Sequence, residues 1–372
     1  VIDTAPDGQT APVLALENLT KRFRGKTALD GVSFSVPRAS LTVILGHAGA
    51  GKTTTLRLIA GLDRPDAGRV LLSGRDVAGW QPKDRDVAMI FDNLALYPDK
   101  TGFENIASPL LIRKMPREEI AEKVQAMAKV LKIGHTLGRL PATMSGGERQ
   151  RIALGRALIR TPSLFLLDEP LSSLDAKLRI ELRAELRRLQ SEHGYSFLMA
   201  TPDFNEALAI ADTVVMLRQG KVVQIAPPQR LYDEPVDRET AQAVGAPLIN
   251  ILPARLDPDG QAIRVAMWRL PVPGHLGPVL AAAPDGFELG IRPENLVLAD
   301  AAGADLAGQV TDIEPLGLKS VLTVKKGEAE VRVLVESAAA MTVAVGREAG
   351  LCVTDPSMLH AFDPASGRRL TA

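Results

Sequence analysis

A chain of 372 residues exceeds what one hydrophobic core usually supports, so two domains are expected. Apolar residues at 46% and charged residues at 24% fit a folded soluble protein, and Lys+Arg balances Asp+Glu at 44 each, which leaves no basic field for nucleic acid. The lone cysteine, Cys352, excludes an internal disulfide, suits a reducing cytoplasm and reads as a small core hydrophobe.

The opening Val1–Gly8 has neither a basic start nor an apolar stretch, so residues 1–12 read as a flexible tail rather than a signal peptide. No apolar run approaches the roughly 18–20 residues that span a bilayer, so any membrane role comes through a partner. Ala15 to Val36 reads as strand, turn and strand. Leu41-Thr42-Val43-Ile44-Leu45 is a short apolar run ending in glycine, the pattern of a buried strand in an α/β sheet. A helix follows to about Ala60, where Gly61 stops it, and Arg85 to Phe91 is a further strand. Helices are expected over Glu118–Lys132, Gly147–Arg160 and Leu178–Gln190, and strands over Ser163–Leu167, Tyr195–Ala200 and Thr213–Leu217. This alternation predicts a mainly parallel, doubly wound sheet. After about residue 245 prolines and glycines cluster around short alternating segments such as Glu330–Val335, which predicts an all-β, barrel-like domain.

Between the first apolar strand and its helix lies Gly46-His47-Ala48-Gly49-Ala50-Gly51-Lys52-Thr53, which matches G-x-x-x-x-G-K-[ST] at every fixed position. Such a loop converges backbone N–H groups on phosphates. Lys52 adds a point charge for the β and γ phosphates, and Thr53 offers a hydroxyl to Mg²⁺. His47 occupies a free position and carries no side-chain role; the loop from Gly46 to Thr54 as a whole is assigned to nucleotide binding. Asp168 ends a buried strand on the edge where such sheets bind ligands and is placed to hold Mg²⁺, with Glu169 beside it as general base.

Together with Met144-Ser145-Gly146-Gly147-Glu148, these motifs resemble the ATPase subunits of ABC transporters over essentially the whole chain. The signature departs from L-S-G-G-Q by Met for Leu and Glu for Gln, and Ser173-Leu174-Asp175 resembles the D-loop. The resemblance implies an α/β phosphate-loop nucleotide-binding domain over 13–244, with a helical subdomain at about 93–160, and an OB-like all-β regulatory domain over 245–372. It implies ATP and Mg²⁺, with Phe23 stacking on adenine and Ser145, Gly146, Gly147, Glu148 and Asp175 meeting nucleotide in a head-to-tail dimer. Asn250-Ile251-Leu252-Pro253, Gly290–Asn295 and Leu359–Gly367 look like the regulatory domain of carbohydrate importers. The implied partners are two transmembrane permease subunits, a solute-binding protein and a second ATPase subunit, with the chain peripheral at the cytoplasmic membrane face.

Two positions depart from the family at its nucleotide site. Asp92 stands where a glutamine ligates Mg²⁺; it is shorter and adds negative charge beside a polyphosphate. Thr201-Pro202-Asp203 stands where the family reads T-H-D, and proline has neither a side-chain donor nor an N–H. His193 lies at the other end of that strand, roughly 20 Å away. The expectation is a site that binds ATP and hydrolyses it poorly, beside a signature fit for a partner's site. A heterodimer follows from that asymmetry; a non-hydrolysing regulatory subunit and a competent homodimer are the alternatives.

Overall fold

The computed structural model describes residues 11–91, 93–172, 174–283 and 286–371. Asp92, Ser173 and most of the expected tail therefore lie outside the described residues. The chain forms two compact units, Val1–Pro228 and Gln229–Ala372. The division falls ahead of the one expected after residue 244, and the cause is long-range: the buried Arg292 guanidinium donates to the carbonyls of Tyr232, Ala241 and Val244 at 2.9, 3.0 and 2.5 Å.

In chain order the first unit comprises β1 Leu14–Phe23, β2 Lys26–Val36, β3 Leu41–Leu45, α1 Lys52–Ala60, β4 Ala67–Leu72, β5 Arg75–Asp76, β6 Val87–Ile90, α2 Gly102–Ile112, α3 Arg117–Val130, α4 Gly146–Leu158, β7 Leu164–Asp168, α5 Ala176–His193, β8 Phe197–Thr201, α6 Phe204–Ile210, β9 Thr213–Arg218 and β10 Lys221–Ala226. Its larger sheet has the order β10-β9-β3-β8-β7-β6, parallel except for the β10 edge. β3, β7 and β8 are buried at every position, as continuous apolar runs require when both sheet faces are covered.

The opening strands do not join that sheet. β2-β1-β4-β5 is a separate antiparallel sheet, so the doubly wound expectation covers only part of the unit. Its inward residues Leu14, Leu16 and Phe34 share one apolar core with Leu56 and Ile59 of α1 and with Ile44, Leu164, Leu198 and Val215 of the larger sheet. The helices α2 to α4 fall within the segment expected to be a helical subdomain. α2 starts on a capping box in which Thr101 and Glu104 satisfy each other's backbone N–H.

The second unit adds α7 Pro228–Asp233 (its first residue closing the first unit), α8 Arg238–Ala243, β11 Asn250–Leu256, β12 Ala262–Val265, β13 Trp268–Pro271, α9 Gly277–Ala281, β14 Phe287–Ile291, β15 Leu296–Ala299, β16 Leu306–Pro315, β17 Lys319–Lys326, β18 Ala329–Glu336, α10 Ser337–Ala340, β19 Glu348–Val353 and β20 His360–Phe362. Two five-stranded sheets, β13-β12-β11-β14-β20 and β15-β19-β16-β17-β18, close on a single core that includes Leu252, Trp268, Phe287, Leu322, Val331 and Leu351. The motif residues are clasps inside this unit. Asn250 bridges Ile291 and the Arg332 backbone at 2.8–3.1 Å, and Asn295 bridges Thr354 and Asp355 at 2.7–2.8 Å. Cys352 is only partly buried on β19, so it is not the core hydrophobe expected.

Candidate nucleotide site

Parallel register gathers the site at the carboxyl edge of the larger sheet. Leu45 pairs with Thr201, Asp168 with Ala200 and Ile90 with Leu167, so Gly46, Glu169 and Pro202 follow neighbouring strands out of the sheet. Gly46 is required there because a Cβ would sit 2.2 Å from the Leu217 carbonyl oxygen. Gly51, at φ 110°, is the N-cap of α1 and has no side chain to cap it, so the first-turn N–H groups face the loop rather than a capping oxygen. Within the loop, Ala48 and Gly49 are exposed, Ala50 is buried and its N–H donates to the His47 carbonyl, and Thr54 is half-buried in the first turn of α1.

Lys52 is buried. Its ammonium donates to the carbonyls of Gly46 and His47 at 3.0 and 3.3 Å and lies 3.3 Å from a Glu169 carboxylate oxygen. Thr53 donates its hydroxyl to Asp168 at 3.1 Å. The structure thus brings Lys52, Thr53, Asp168 and Glu169 together at one strand edge. Glu169 adopts φ 46°, a left-handed conformation costly for a side chain with a Cβ. Bonds from its N–H to the Ala200 carbonyl, and to its own carbonyl from the Ser172 N–H and hydroxyl, hold it there.

The signature segment sits at a second helix start. Ser145 caps α4, accepting from the Glu148 N–H at 3.3 Å while the Glu148 carboxylate accepts from the Ser145 N–H at 2.7 Å. Gly146 and Gly147 form the first turn between these two residues. The other Glu148 oxygen takes His135 Nε2 at 3.1 Å and Arg139 at 3.0 Å. The Ser145 bond foremost, aided by the His135 bond and the Arg139 charge, holds the Glu148 carboxyl below its usual range. Glutamate in place of glutamine is therefore accommodated as a charge-matched cap. The Ser-x-x-Glu spacing was the available sequence signal for it. Asp175 caps α5 by accepting from the Leu178 N–H at 2.9 Å.

Phe23 ends β1 at 44% exposure, so it is not a core phenylalanine. Pro202 is exposed in the β8–α6 turn, and its neighbours are committed elsewhere. The Thr201 hydroxyl donates to buried Glu206 at 2.6 Å, and Asp203 caps α6 through the Asn205 N–H at 2.8 Å. Burial raises the Glu206 carboxyl above its usual range, the Thr201 bond opposing it. His193 ends α5 with its ring 5.5 Å from Tyr195, at the end of β8 remote from this edge.

The first unit also carries a groove of about 620 Å³, lined by Phe91, Tyr97, Ile112, Arg113 and Arg160 among others, with Ile112 at 78% exposure. No helix among the described residues is long and apolar enough to cross a membrane.

A phosphate loop, strand-end carboxylates and a capped signature helix on this sheet define an ATP-binding P-loop ATPase. Residues 29–172 match the ABC transporter family model and residues 289–362 the TOBE domain. The chain is 39% identical over 360 residues to the sn-glycerol-3-phosphate import ATP-binding protein UgpC of Cereibacter sphaeroides, covering 96% of this chain and 99% of that protein. It is 37% identical over 375 residues to the trehalose/maltose import ATP-binding protein MalK of Thermococcus litoralis, covering 95% and 98%. Among solved structures it is similar to a dimeric ATP-binding cassette in a post-hydrolysis state bound to ADP and Pi, with 26% identity, TM-score 0.54, and 58% of this chain and 98% of that one covered. It is also similar to CbiO1 of Clostridium perfringens, with 25% identity, TM-score 0.56, and 60% and 92% covered. The chain belongs to the ATP-binding subunits of ABC transporters and is an ABC-type ATPase.

Proposed function

We propose that the chain powers an importer for a sugar, polyol or glycerol phosphate. The observation that carries this reading is that the import ATP-binding relatives match along both units and nearly their full length. Lys52 holds the β and γ phosphates of ATP, and Glu169 polarises the attacking water. Thr53 and Asp168 form an adjoining hydroxyl–carboxylate pair whose hard oxygens suit Mg²⁺; they would hold it together with Asp92, since aspartate can ligate Mg²⁺, and the ion would supply charge neutralisation on the phosphates. Phe23 stacks on adenine. Ser145, Gly146, Gly147, Glu148 and Asp175 face the nucleotide of a second ATPase subunit. The groove around the exposed Tyr97 and Ile112, which also carries Arg113 and Arg160, receives one of two permease subunits, so the chain lies peripherally at the cytoplasmic face, with a solute-binding protein across the membrane. Deleting the gene and measuring uptake of labelled glycerol 3-phosphate, maltose and a polyol tests this: one uptake is lost and is restored by the intact gene. Unchanged uptake of all three contradicts it.

A second reading, in which this chain is the slower half of an ATPase heterodimer, is supported by the commitment of Thr201 and Asp203 beside Pro202. An oxyanion-type donor missing from such a site costs about 10²–10³ in rate. Turnover of the purified chain should then be slow and rise in Pro202→His. Ordinary turnover by the unaltered chain alone removes this reading.

A further inference from the structure

The base platform is braced from outside its own hairpin as well as within it. The β1–β4 ladder ends where Thr20 pairs with Ala67, and the β1–β2 register shifts on both sides of Lys21 before Arg22 pairs with Thr27 and Phe23 with Lys26, so the irregular stretch of β1 lies just ahead of Phe23. Asp66, just before β4, braces that stretch. Its N–H donates to the Thr20 carbonyl at 2.9 Å, one carboxylate oxygen accepts from the Arg22 N–H at 2.6 Å, and the other from the Lys21 ammonium at 3.3 Å. The same ammonium lies 5.1 Å from the centroid of the Phe23 ring. One lysine therefore bridges the carboxylate and the ring. The bond from Arg22 foremost, with that of Lys21, holds the Asp66 carboxyl below its usual range, so it is anionic at neutral pH.

We propose that Asp66 is a positioning residue for the nucleobase: it fixes the backbone beside Phe23 and pins Lys21 over one face of the ring, leaving the other face for adenine. Both effects act on the base alone. The phosphates are held by Lys52 and the loop, which Asp66 does not touch in any bond given above. The proposal rests on the reading of Phe23 as the adenine platform, and its test separates the two.

The full chain and its variants are titrated with ATP and with inorganic tripolyphosphate, and the ratio of the two affinities is taken as the base preference. Phe23→Ala should reduce that preference about 10-fold, the loss of one base–aromatic stack. Asp66→Ala should reduce it by roughly 3–10-fold, leaving tripolyphosphate affinity and turnover at saturating ATP unchanged. Asp66→Asn, which keeps the shape and an acceptor for Arg22, should fall between, and it decides the matter if the alanine variant does not fold. In a Phe23→Ala background the Asp66 substitutions should add nothing. Equal weakening of ATP and tripolyphosphate, or an unaltered preference, overturns the role of Asp66 while leaving Phe23 in place. An unaltered preference in Phe23→Ala overturns the platform reading, and the proposal with it.

Discussion

The nucleotide edge of the first unit and the motif residues of the second differ in how they use their polar groups. At the edge, α1 begins on a glycine that cannot cap it, Glu169 is held in a left-handed conformation, and Lys52 reaches backbone carbonyls and one carboxylate from a buried position. In the second unit, Arg292 donates to three carbonyls, lies 3.9 Å over the Tyr232 ring and is 1% exposed. Burial lowers its pKa to about 10, which still leaves it charged at neutral pH. Residues that stand out equally in the sequence thus divide into polar groups gathered at one strand edge and clasps that hold a β unit closed. Binding and stability should respond to them separately.

The largest separation is expected at Gly46. Gly46→Ala forces the loop away from the Leu217 carbonyl oxygen, and a misplacement of that order costs about 100-fold in nucleotide affinity or turnover. Circular dichroism and ATP titration of the same sample check that the loss comes without loss of the β unit. Arg292→Ala is the converse. It leaves the carbonyls of Tyr232, Ala241 and Val244 without their donor and should destabilise the second unit by about 3 kcal/mol, read by denaturant unfolding, with ATP affinity unchanged. If Arg292→Ala instead abolished ATP binding in a folded chain, the division between the two sets would fail.

A smaller, pH-dependent effect is expected from His360. It is buried, neither ring nitrogen has a hydrogen-bond partner, and burial foremost, with Arg369, Arg292 and His275 adding like charge, lowers its pKa to about 3. An unfolded histidine takes up its proton near pH 6.5 and the folded one does not, so the unfolded state binds more protons between those values. Stability of the second unit is therefore full above about pH 6.5 and is lost as pH falls toward 3. Denaturation curves at pH 7.5 and pH 5 should differ in the native chain and differ less in His360→Gln.

Much of the first unit was legible because its signals are local. The all-apolar β3 followed by Gly46, the stop at Gly61 and the apolar run ending in Asp168 each announce an element within a few residues. Of the antiparallel sheet only the β1–β2 pair was legible; β4 is half exposed and β5 is two residues long, so neither shows a clean alternation. The unit boundary was displaced because Arg292 fixes residues about fifty to sixty positions upstream through backbone carbonyls, which no side-chain pattern records. At the site, residue types announced the phosphate loop, but the commitment of Thr201 to Glu206 and of Glu148 to Arg139 depends on which side chains meet across turns. Asp66 shows the same limit: an aspartate in a Pro-Asp turn gives no hint that it holds the end of β1.

Single-turnover hydrolysis by the purified chain, compared with Glu169→Gln, tests the assignment of chemistry to this strand edge most directly. Loss of a general base predicts a fall of about 10²–10⁴-fold in the hydrolysis step with ATP affinity retained. Hydrolysis at the same rate in Glu169→Gln contradicts the account.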